Sequence, residues 1–345
     1  MKKLRCVVVG LGRIAWNFHV PQILERPDLF ELAAVVDPDP SRLQEIHEKA
    51  GVKILCHDCA ELPPACVDLA VIASPTHFHK EQALFFFKRG VDVFTDKPCA
   101  INLKDAMEMG KAASKNSRKL MVYQPWRKRG MTIDAEAILN SGKLGKVYMM
   151  RRAETRFVRR DDWQAKSAYG GGMLLNYGAH DIDQLFYLGK NDSAHSVRCE
   201  LKCILTLGDA EDFVHALIRG RSGMLYELYI NMGQAINQPQ MTLYGDTGTA
   251  ELGLDGQWRV RWCPADEMPS RELQNTLAAE LRMYPSESLP WREEVFPLSG
   301  DDFDYYKACY DYFALGGKAL VPFSETLEVM RTIDLCRADS ERQER

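Results

Sequence analysis

The sequence predicts an α/β protein of two domains: a first domain with a parallel sheet (1–125) and a second, α+β domain with a mostly antiparallel sheet (126–345). Three observations predict this fold. The length of 345 residues exceeds what one hydrophobic core usually holds. The first part alternates short apolar runs with helical patterns, which is typical of βαβ units. Much of the second part alternates apolar and polar residues, as half-exposed strands do.

The elements of the first domain follow from its apolar runs and its helix-end signals. The helix over 37–51 is clearly bounded, because Asp39 suits an N-cap, Pro40 suits the first turn and Gly51 suits a C-terminal stop. The predicted strands cover 4–9, 31–37, 67–74, 91–96 and 119–124, and the predicted helices cover 37–51, 79–90 and 102–116.

The second domain begins with a helix over about 131–141 and continues mainly as strands. Turn signals such as "GDTG" and "LDGQ" separate several of these strands. We leave open whether the last two helices pack back on the first domain. The predicted strands cover 196–207, 213–220, 224–231, 240–245 and 257–262, and the closing helices cover 301–317 and 323–341.

The composition argues against several classes of function. The 44 basic and 48 acidic residues give a net charge of -4 without a dense basic block, so we expect no nucleic-acid partner. No apolar run approaches the roughly 20 residues that span a bilayer. In "MKKLRCVVVGLGRIAW", Gly10, Gly12 and Arg13 interrupt the apolar run, which favours a first strand over a signal peptide. We therefore expect a cytoplasmic protein with mostly free thiols.

One cysteine cluster raises the question of a metal site. "CHDCAELPPAC" contains Cys56, His57, Cys59 and Cys66, and a CxxC pair can be half of a zinc site. A second ligand pair at suitable spacing is missing, and the two prolines mark a loop. We favour buried or loop thiols and predict no metal.

The motif "VVVGLGRIAW" predicts a dinucleotide site. Gly10 and Gly12 follow a strand directly, and the small Ala15 allows the next helix to pack closely. Asp37 ends the second strand, where a carboxylate can accept hydrogen bonds from the adenosine ribose. The alternative is a plain turn with Asp37 as a helix cap. Because a carboxylate repels a 2′-phosphate, we predict NAD in preference to NADP, although the nearby Arg42 weakens that preference.

Further polar side chains follow the later strands or share one predicted helix. "ASPTHFHKEQ" and "TDKPCAI" both follow strands, at the sheet edge where open α/β sheets bind ligands. In "GGGMLLNYGAHDID", spacings of four and three place Asn176, His180 and Asp183 on one face of a predicted helix. Taken alone, Lys97 and the histidines of these loops are more often solvated or capping residues.

Taken together, these motifs resemble the Gfo/Idh/MocA family (glucose–fructose oxidoreductase, inositol dehydrogenase, rhizopine catabolism). The resemblance extends over nearly the whole chain and rests on "GLGRIA", "SPTHFH", "DKP" where the family usually has E-K-P, and "GGGMLLNYGAHDID". It implies an N-terminal Rossmann domain and a C-terminal domain with a large open, mostly antiparallel sheet. It also implies self-association through that sheet, as a homodimer or homotetramer.

The resemblance assigns residues to an active site. Lys97 matches the family's catalytic lysine, His180 its acid/base histidine, and Asn176 the position where an Asp is common. An amide can orient a hydroxyl or hold His180, but it cannot transfer a proton. The residues expected to bind the cofactor are Gly10, Gly12, Arg13, Ile14, Asp37, Arg42, Ser74, Pro75, Thr76, His79, Asp96, Lys97 and Gln124.

The expected reaction is hydride transfer between nicotinamide and a ring hydroxyl or ketone of a sugar, sugar derivative or cyclitol. In this mechanism His180 removes the hydroxyl proton and Lys97 stabilises the alkoxide. Arg127, Trp163 and Tyr169 are expected to contact the substrate with Asn176 and His180; Trp126 is a further candidate, and core packing explains each aromatic equally well.

Two alternatives remain at this point. In the first, NAD stays bound and is recycled while a glycoside is oxidised, cleaved by elimination and reduced again. In the second, the protein is a non-catalytic sensor of NAD or a sugar. The presence of both Lys97 and His180 argues against a sensor, because sensing needs no such pair.

Overall fold

The computed structural model describes residues 3–273 and 287–343 and contains two sheets. The first is a six-stranded parallel sheet in the order β3-β2-β1-β4-β5-β6. Its order changes direction between β1 and β4, which is the usual position of a ligand crevice in such sheets. The strands are β1 (Leu4–Val9), β2 (Phe30–Val36), β3 (Ile54–Cys56), β4 (Leu69–Ile72), β5 (Asp92–Asp96) and β6 (Leu120–Tyr123).

The second is an eight-stranded sheet in the order β14-β13-β12-β11-β7-β10-β9-β8. Only the central pair β7 and β10 is parallel, and the other neighbours are antiparallel. Its strands are β7 (Val147–Thr155), β8 (Ala194–Lys202), β9 (Phe213–Gly220), β10 (Leu225–Asn231), β11 (Met241–Gly245), β12 (Gly248–Leu252), β13 (Gln257–Trp262) and β14 (Arg292–Pro297).

Helices cover both faces of the first sheet and one face of the second. Pairing parallel strands requires crossover segments, and helices α1–α4 lie in or beside these crossovers. The helices are α1 (Val20–Leu24), α2 (Pro40–Ala50), α3 (His79–Lys88), α4 (Leu103–Lys115), α5 (Gly130–Asn140), α6 (Ala179–Leu188), α7 (Tyr305–Leu315) and α8 (Phe323–Gln343).

The C-terminal helices pack against elements that precede them by far in the chain. Tyr306 and Tyr310 of α7 join the core that contains Val8 and Phe94 of the first sheet. The His19 ring, which is fully buried, accepts or donates a 2.6 Å hydrogen bond with the Tyr306 hydroxyl. Helix α8 packs on α4, α6 and β8 and so contacts both halves of the chain.

The predicted fold class is confirmed, and several elements differ in detail. Helix α2 has the predicted ends, since the Asp39 carboxylate caps the Ser41 N–H and Gly51 is left-handed. Strands β3, β7, β12 and β14 were not among the predicted strands. The regular helix expected for "GGGMLLNYGAHDID" is wrong in its first part, because Leu174–Gly178 is π-helical and α6 begins only at Ala179. Within the described residues, no helix is both long and apolar enough to cross a membrane.

Candidate active site

A cavity of about 840 Å³ lies at the carboxyl ends of β1, β4 and β5, where the predicted motifs converge. The volume is within the usual range for small-molecule and cofactor pockets. The later part of the chain contributes residues such as Trp163, Gln164 and Asn176 to its wall. The wall includes these predicted cofactor residues: Gly10, Gly12, Arg13, Ile14, Asp37, Arg42, Ser74, Pro75, Thr76, His79, Asp96 and Lys97.

The two positions of the first loop require glycine for different structural reasons. Gly10 has a φ of +85°, and a Cβ there would lie 2.8 Å from the Ser74 backbone. A Cβ on Gly12 would meet nothing within 4 Å, because that position opens into the cavity. The backbone at Gly12 is therefore free to approach a ligand closely. This open cradle fits the pyrophosphate of a dinucleotide.

Asp37 is buried at the end of β2 and organises the same loop. One carboxylate oxygen accepts the Leu11 N–H at 2.6 Å, and the other accepts the Asp39 N–H at 2.9 Å. Because each carboxylate oxygen has two acceptor sites, Asp37 can still accept ligand hydroxyls from the cavity. The Arg42 guanidinium lies 3.6 Å from both Asp37 and Asp39. Asp37 therefore positions the glycine loop as well as lining the cavity.

The cysteine cluster borders this end of the cavity. His57 and Cys59 line it next to Arg42, while Cys66 is not among the lining residues. Among the residues that the structure describes, no three His, Cys, Asp or Glu side chains are grouped to hold a metal ion. Burial raises the pKa of the Cys59 thiol to about 12, so the thiol is protonated near neutral pH.

His79 connects two of the loops that follow the strands. Its Nε2 lies 2.8 Å from the Ser74 carbonyl oxygen and its Nδ1 lies 3.0 Å from the Pro98 carbonyl oxygen. Both ring nitrogens thus face backbone groups, and the ring is 1% exposed. His79 holds the loop after β4 against the loop after β5.

Lys97 joins the first sheet to the π-helical turn. Its ammonium donates hydrogen bonds to the Asn176 carbonyl oxygen at 2.7 Å and to the Asn176 Oδ1 at 3.0 Å. Burial lowers the pKa of Lys97 to about 8, against the opposing effect of the Asp96 and Asp181 carboxylates. Desolvation raises the pKa of Asp96 to about 6. Lys97 is therefore a cation close to its deprotonation point.

Each of the three glycines before this turn lies so close to a different neighbour that a Cβ would clash with it. Gly170 has a φ of +74°, and a Cβ there would lie 2.9 Å from the Thr76 side chain. A Cβ on Gly171 would lie 2.4 Å from the Gln164 carbonyl oxygen, and one on Gly172 would collide with the Glu211 carboxylate. Gly170 thus brings this segment against the loop after β4, while Gly171 and Gly172 allow close packing on Gln164 and Glu211.

His180 lies one helical turn beyond Asn176 and has a defined tautomer. The Gln124 amide donates to the Ala179 carbonyl at 3.1 Å, so its Oε1 accepts the His180 Nδ1–H at 2.9 Å. The Nε2 atom then carries a lone pair, with no hydrogen-bond partner among the described residues. Burial lowers the pKa of His180 well below its usual value, and the nearby Lys97 and Arg129 charges lower it further.

Four predicted site residues lie apart from the cavity wall. His180 and Gln124 are not among the lining residues, and they are hydrogen-bonded to each other at 2.9 Å. Tyr169 is 40% exposed and stacks on His77 at 4.8 Å. Arg127 does not fit a substrate role, because its guanidinium is buried and paired with Asp183 at 2.6 Å and Glu325 at 2.5 Å.

The structure gives the candidate residue Trp126 a defined partner, and it adds a charged cluster that sequence reasoning did not assign. The Trp126 ring stacks on His180 with centroids 4.3 Å apart and planes 7° from parallel. Behind this pair, buried Arg152 is paired with Asp181 and Glu154, both at 2.7 Å. Burial raises the pKa of Asp181 to about 7. Nothing in the local sequence marks this cluster, because its partners come from β7 and α6.

Comparisons with known proteins assign both halves of the chain to one family. Residues 4–124 match the model of an oxidoreductase family with an NAD-binding Rossmann fold, and residues 132–251 match the GFO/IDH/MocA C-terminal domain. D-glucoside 3-dehydrogenase of Escherichia coli is 31% identical over 56% of this chain and 57% of its own length. The chain thus spans less than two thirds of that relative.

Two solved structures share the fold over nearly the whole chain. An NAD-binding protein from Listeria innocua superposes with a TM-score of 0.84 at 21% identity, covering 99% of this chain and 96% of that one. The WlbA dehydrogenase from Bordetella pertussis, in complex with NADH and UDP-GlcNAcA, superposes with a TM-score of 0.78 at 20% identity, covering 99% and 98%. With family models matching both halves, the chain belongs to the Gfo/Idh/MocA family of NAD-binding oxidoreductases.

Proposed function

We propose that the protein is an NAD-dependent dehydrogenase or reductase that acts on a ring hydroxyl or ketone of a sugar, sugar derivative or cyclitol. The observation that carries this proposal is the hydrogen bond between Lys97 and Asn176 beside His180, whose Nε2 has no protein partner among the described residues. An ammonium donor and a neutral imidazole acceptor at one place are what removal of a hydroxyl proton requires. The similarity to D-glucoside 3-dehydrogenase supports the substrate class.

The roles of the side chains follow from their hydrogen bonds. Bound NAD would supply the hydride acceptor. The His180 Nε2 accepts the hydroxyl proton, while Gln124 holds the opposite side of the ring. Lys97 donates to the same substrate oxygen and stabilises its negative charge. Asn176 positions Lys97, because it occupies two of the three ammonium hydrogens.

We also propose that NAD is preferred over NADP. Asp37 presents a negative charge to the cavity, and a 2′-phosphate there would be repelled. Arg42 lies 3.6 Å from two carboxylates, which offset its positive charge. Calorimetry with both oxidised cofactors tests this preference: equal or tighter binding of NADP would contradict it.

The test of the reaction begins with native mass spectrometry of the purified protein, with and without added NAD. The protein is then incubated with sugars, cyclitols and glycosides while NADH is followed by absorbance. We expect NADH formation that is lost in Lys97→Met and His180→Ala, with NAD binding retained in His180→Ala. Release of an aglycone without net NADH would instead indicate a recycled cofactor. NAD binding without any turnover would indicate a sensor.

A further inference from the structure

Two aromatic rings lie next to the proposed base, with their planes tilted by 44° to each other. Trp126, which stacks on His180, has its centroid 6.2 Å from that of Tyr177. Both side chains are half-buried and so remain partly open to the solvent side. Their exposed parts form an aromatic surface that a sugar or cyclitol ring can contact.

A guanidinium lies over each of these rings. The Arg129 Cζ is 5.0 Å from the Trp126 centroid, and the Arg156 Cζ is 5.3 Å from the Tyr177 centroid. The Arg129 and Arg156 side chains are 41% and 51% exposed. Each end of the aromatic surface therefore carries a positive charge that a ligand can reach.

The hydrogen-bond donors of these two arginines are uncommitted. Arg129 is 3.6 Å from the Asp301 carboxylate and Arg156 is 3.7 Å from that of Glu154, which are ion-pair rather than hydrogen-bond distances. Within the described residues, neither guanidinium donates a hydrogen bond. Buried Arg152, by contrast, donates to Asp181, Glu154 and Gln184.

The acidic partners of the two arginines are also occupied elsewhere. Asp301 accepts the Gly130 N–H at 2.8 Å with its other oxygen, and Glu154 accepts from Arg152 at 2.7 Å. Glu154 therefore divides its charge between two arginines. An anion arriving at this surface would meet guanidinium donors that no acceptor in residues 3–273 and 287–343 uses.

We propose that the substrate is an anionic sugar or cyclitol derivative, whose carboxylate or phosphate is bound by Arg129 and Arg156 while its ring contacts the exposed edges of Trp126 and Tyr177. This inference rests on the proposed function and specifies its substrate class. Guanidinium groups match both anions through paired N–H donors, which a neutral hydroxyl cannot use as strongly.

The experiment measures sugar binding to the NAD-loaded protein by calorimetry, independently of turnover. The probes are D-glucuronate, D-glucose 6-phosphate, D-glucose and myo-inositol. We expect at least one acidic sugar to bind about tenfold or more tightly than both neutral compounds, because a charged partner strengthens the hydrogen bonds. The acidic probe that binds more tightly shows whether the site prefers a carboxylate or a phosphate group.

Arg129→Gln and Arg156→Gln should each weaken the acidic sugar about tenfold and leave NAD binding unchanged. Arg261→Gln is the matched control, since Arg261, on β13, also lies over an aromatic ring, that of Trp291 at 4.9 Å, and its ion-pair partner is Glu293 on β14. Equal binding of acidic and neutral sugars, acidic binding weaker than about 10 mM, or equal effects of all three substitutions would overturn the inference. Turnover of neutral sugars alone would contradict it without affecting the proposed function, whereas anion binding without any turnover would contradict only that function.

Discussion

Lys97 should control how the proposed reaction depends on pH. Its pKa is lowered to about 8, so the ammonium loses its proton as the pH rises through that value. Because the ammonium stabilises the alkoxide, turnover should fall above about pH 8. His180 should remain neutral and able to accept a proton at lower pH than an ordinary histidine, since burial lowers its pKa well below the usual value.

A pH profile of kcat/KM checks this expectation. Lys97→Arg serves as the comparison: it should be slower, but the alkaline decline should disappear because arginine stays charged. A rate that instead rises through pH 8 would show that the neutral amine of Lys97 is the base.

Asn176→Asp should move the alkaline decline to higher pH. The new carboxylate would lie about where Oδ1 now lies, 3.0 Å from the Lys97 ammonium, and an opposite charge at that distance raises a lysine pKa by about one unit or more. Asn176→Ala should shift the decline the other way, because the ammonium loses an acceptor. Identical pH profiles for the three proteins would show that Asn176 does not position Lys97.

Substitutions at the two glycines of the loop after β1 should affect different properties, the stability of the fold at Gly10 and cofactor binding at Gly12. Gly10→Ala should lower the free energy of unfolding by about 1–3 kcal/mol, because its φ of +85° and the Ser74 backbone leave no room for a Cβ. Gly12→Ala should change that energy by less than about 0.5 kcal/mol yet weaken NAD binding about tenfold or more, since its Cβ would enter the cavity. Urea unfolding and calorimetry measure the two quantities; a destabilised Gly12→Ala that binds NAD normally would refute this division.

The ion pair between Arg127 and Asp183 should contribute to stability rather than to substrate binding. Asp183→Asn would leave a buried guanidinium without its main counterion, which typically costs about 3–5 kcal/mol. Asp255→Asn on the exposed pair with Arg259 is the control, and it should lower the free energy of unfolding far less, because solvent screens that pair. Denaturant unfolding measures the free energy of unfolding of both variants. Comparable decreases in that energy would contradict a mainly structural role for the Arg127–Asp183 pair.

How well each element could be predicted depends on how local its signals are. Strand β1 and helix α2 follow their predicted bounds closely, because apolar runs, caps and glycines mark them within a few residues. Strand β3 has only three residues, and the charged edge strand β14 pairs with a single neighbour, so neither has a clear period. The π-helical turn is set by contacts of the glycine triplet with distant segments, which no local pattern shows.

The same limit applies to the candidate site. Lys97 and Asn176 could be anticipated because family motifs with fixed spacing contain them, and the structure brings them together. Arg127 was misassigned because its partners lie 56 and 198 residues away in the chain. The stacking of Trp126 on His180 depends likewise on tertiary packing. Partners of buried charges and rings are therefore the part of a site that sequence reasoning reaches least well.

At the scale of the whole molecule, we propose that copies associate through the open face of the eight-stranded sheet. Along β9, Leu217 is 44% exposed on this face, while Ala216 and Ile218 are fully buried beneath it. Light scattering should give two or four times the chain mass. Leu217→Arg should shift the mass towards one copy, whereas Leu207→Arg, on an exposed loop residue, should not. A monodisperse monomer of the unmodified protein would refute this proposal.

The position of α7 has a consequence for the order of folding during synthesis. The first sheet is complete in sequence at Tyr123, but one face of it is covered by tyrosines that begin at Tyr305. At about 5–20 residues per second, a ribosome needs roughly 10–40 s to produce the intervening chain. During that interval the nascent first half exposes apolar surface around Val8 and Phe94. Its folding should therefore finish only after release of the late helices, and until then it should depend on chaperones.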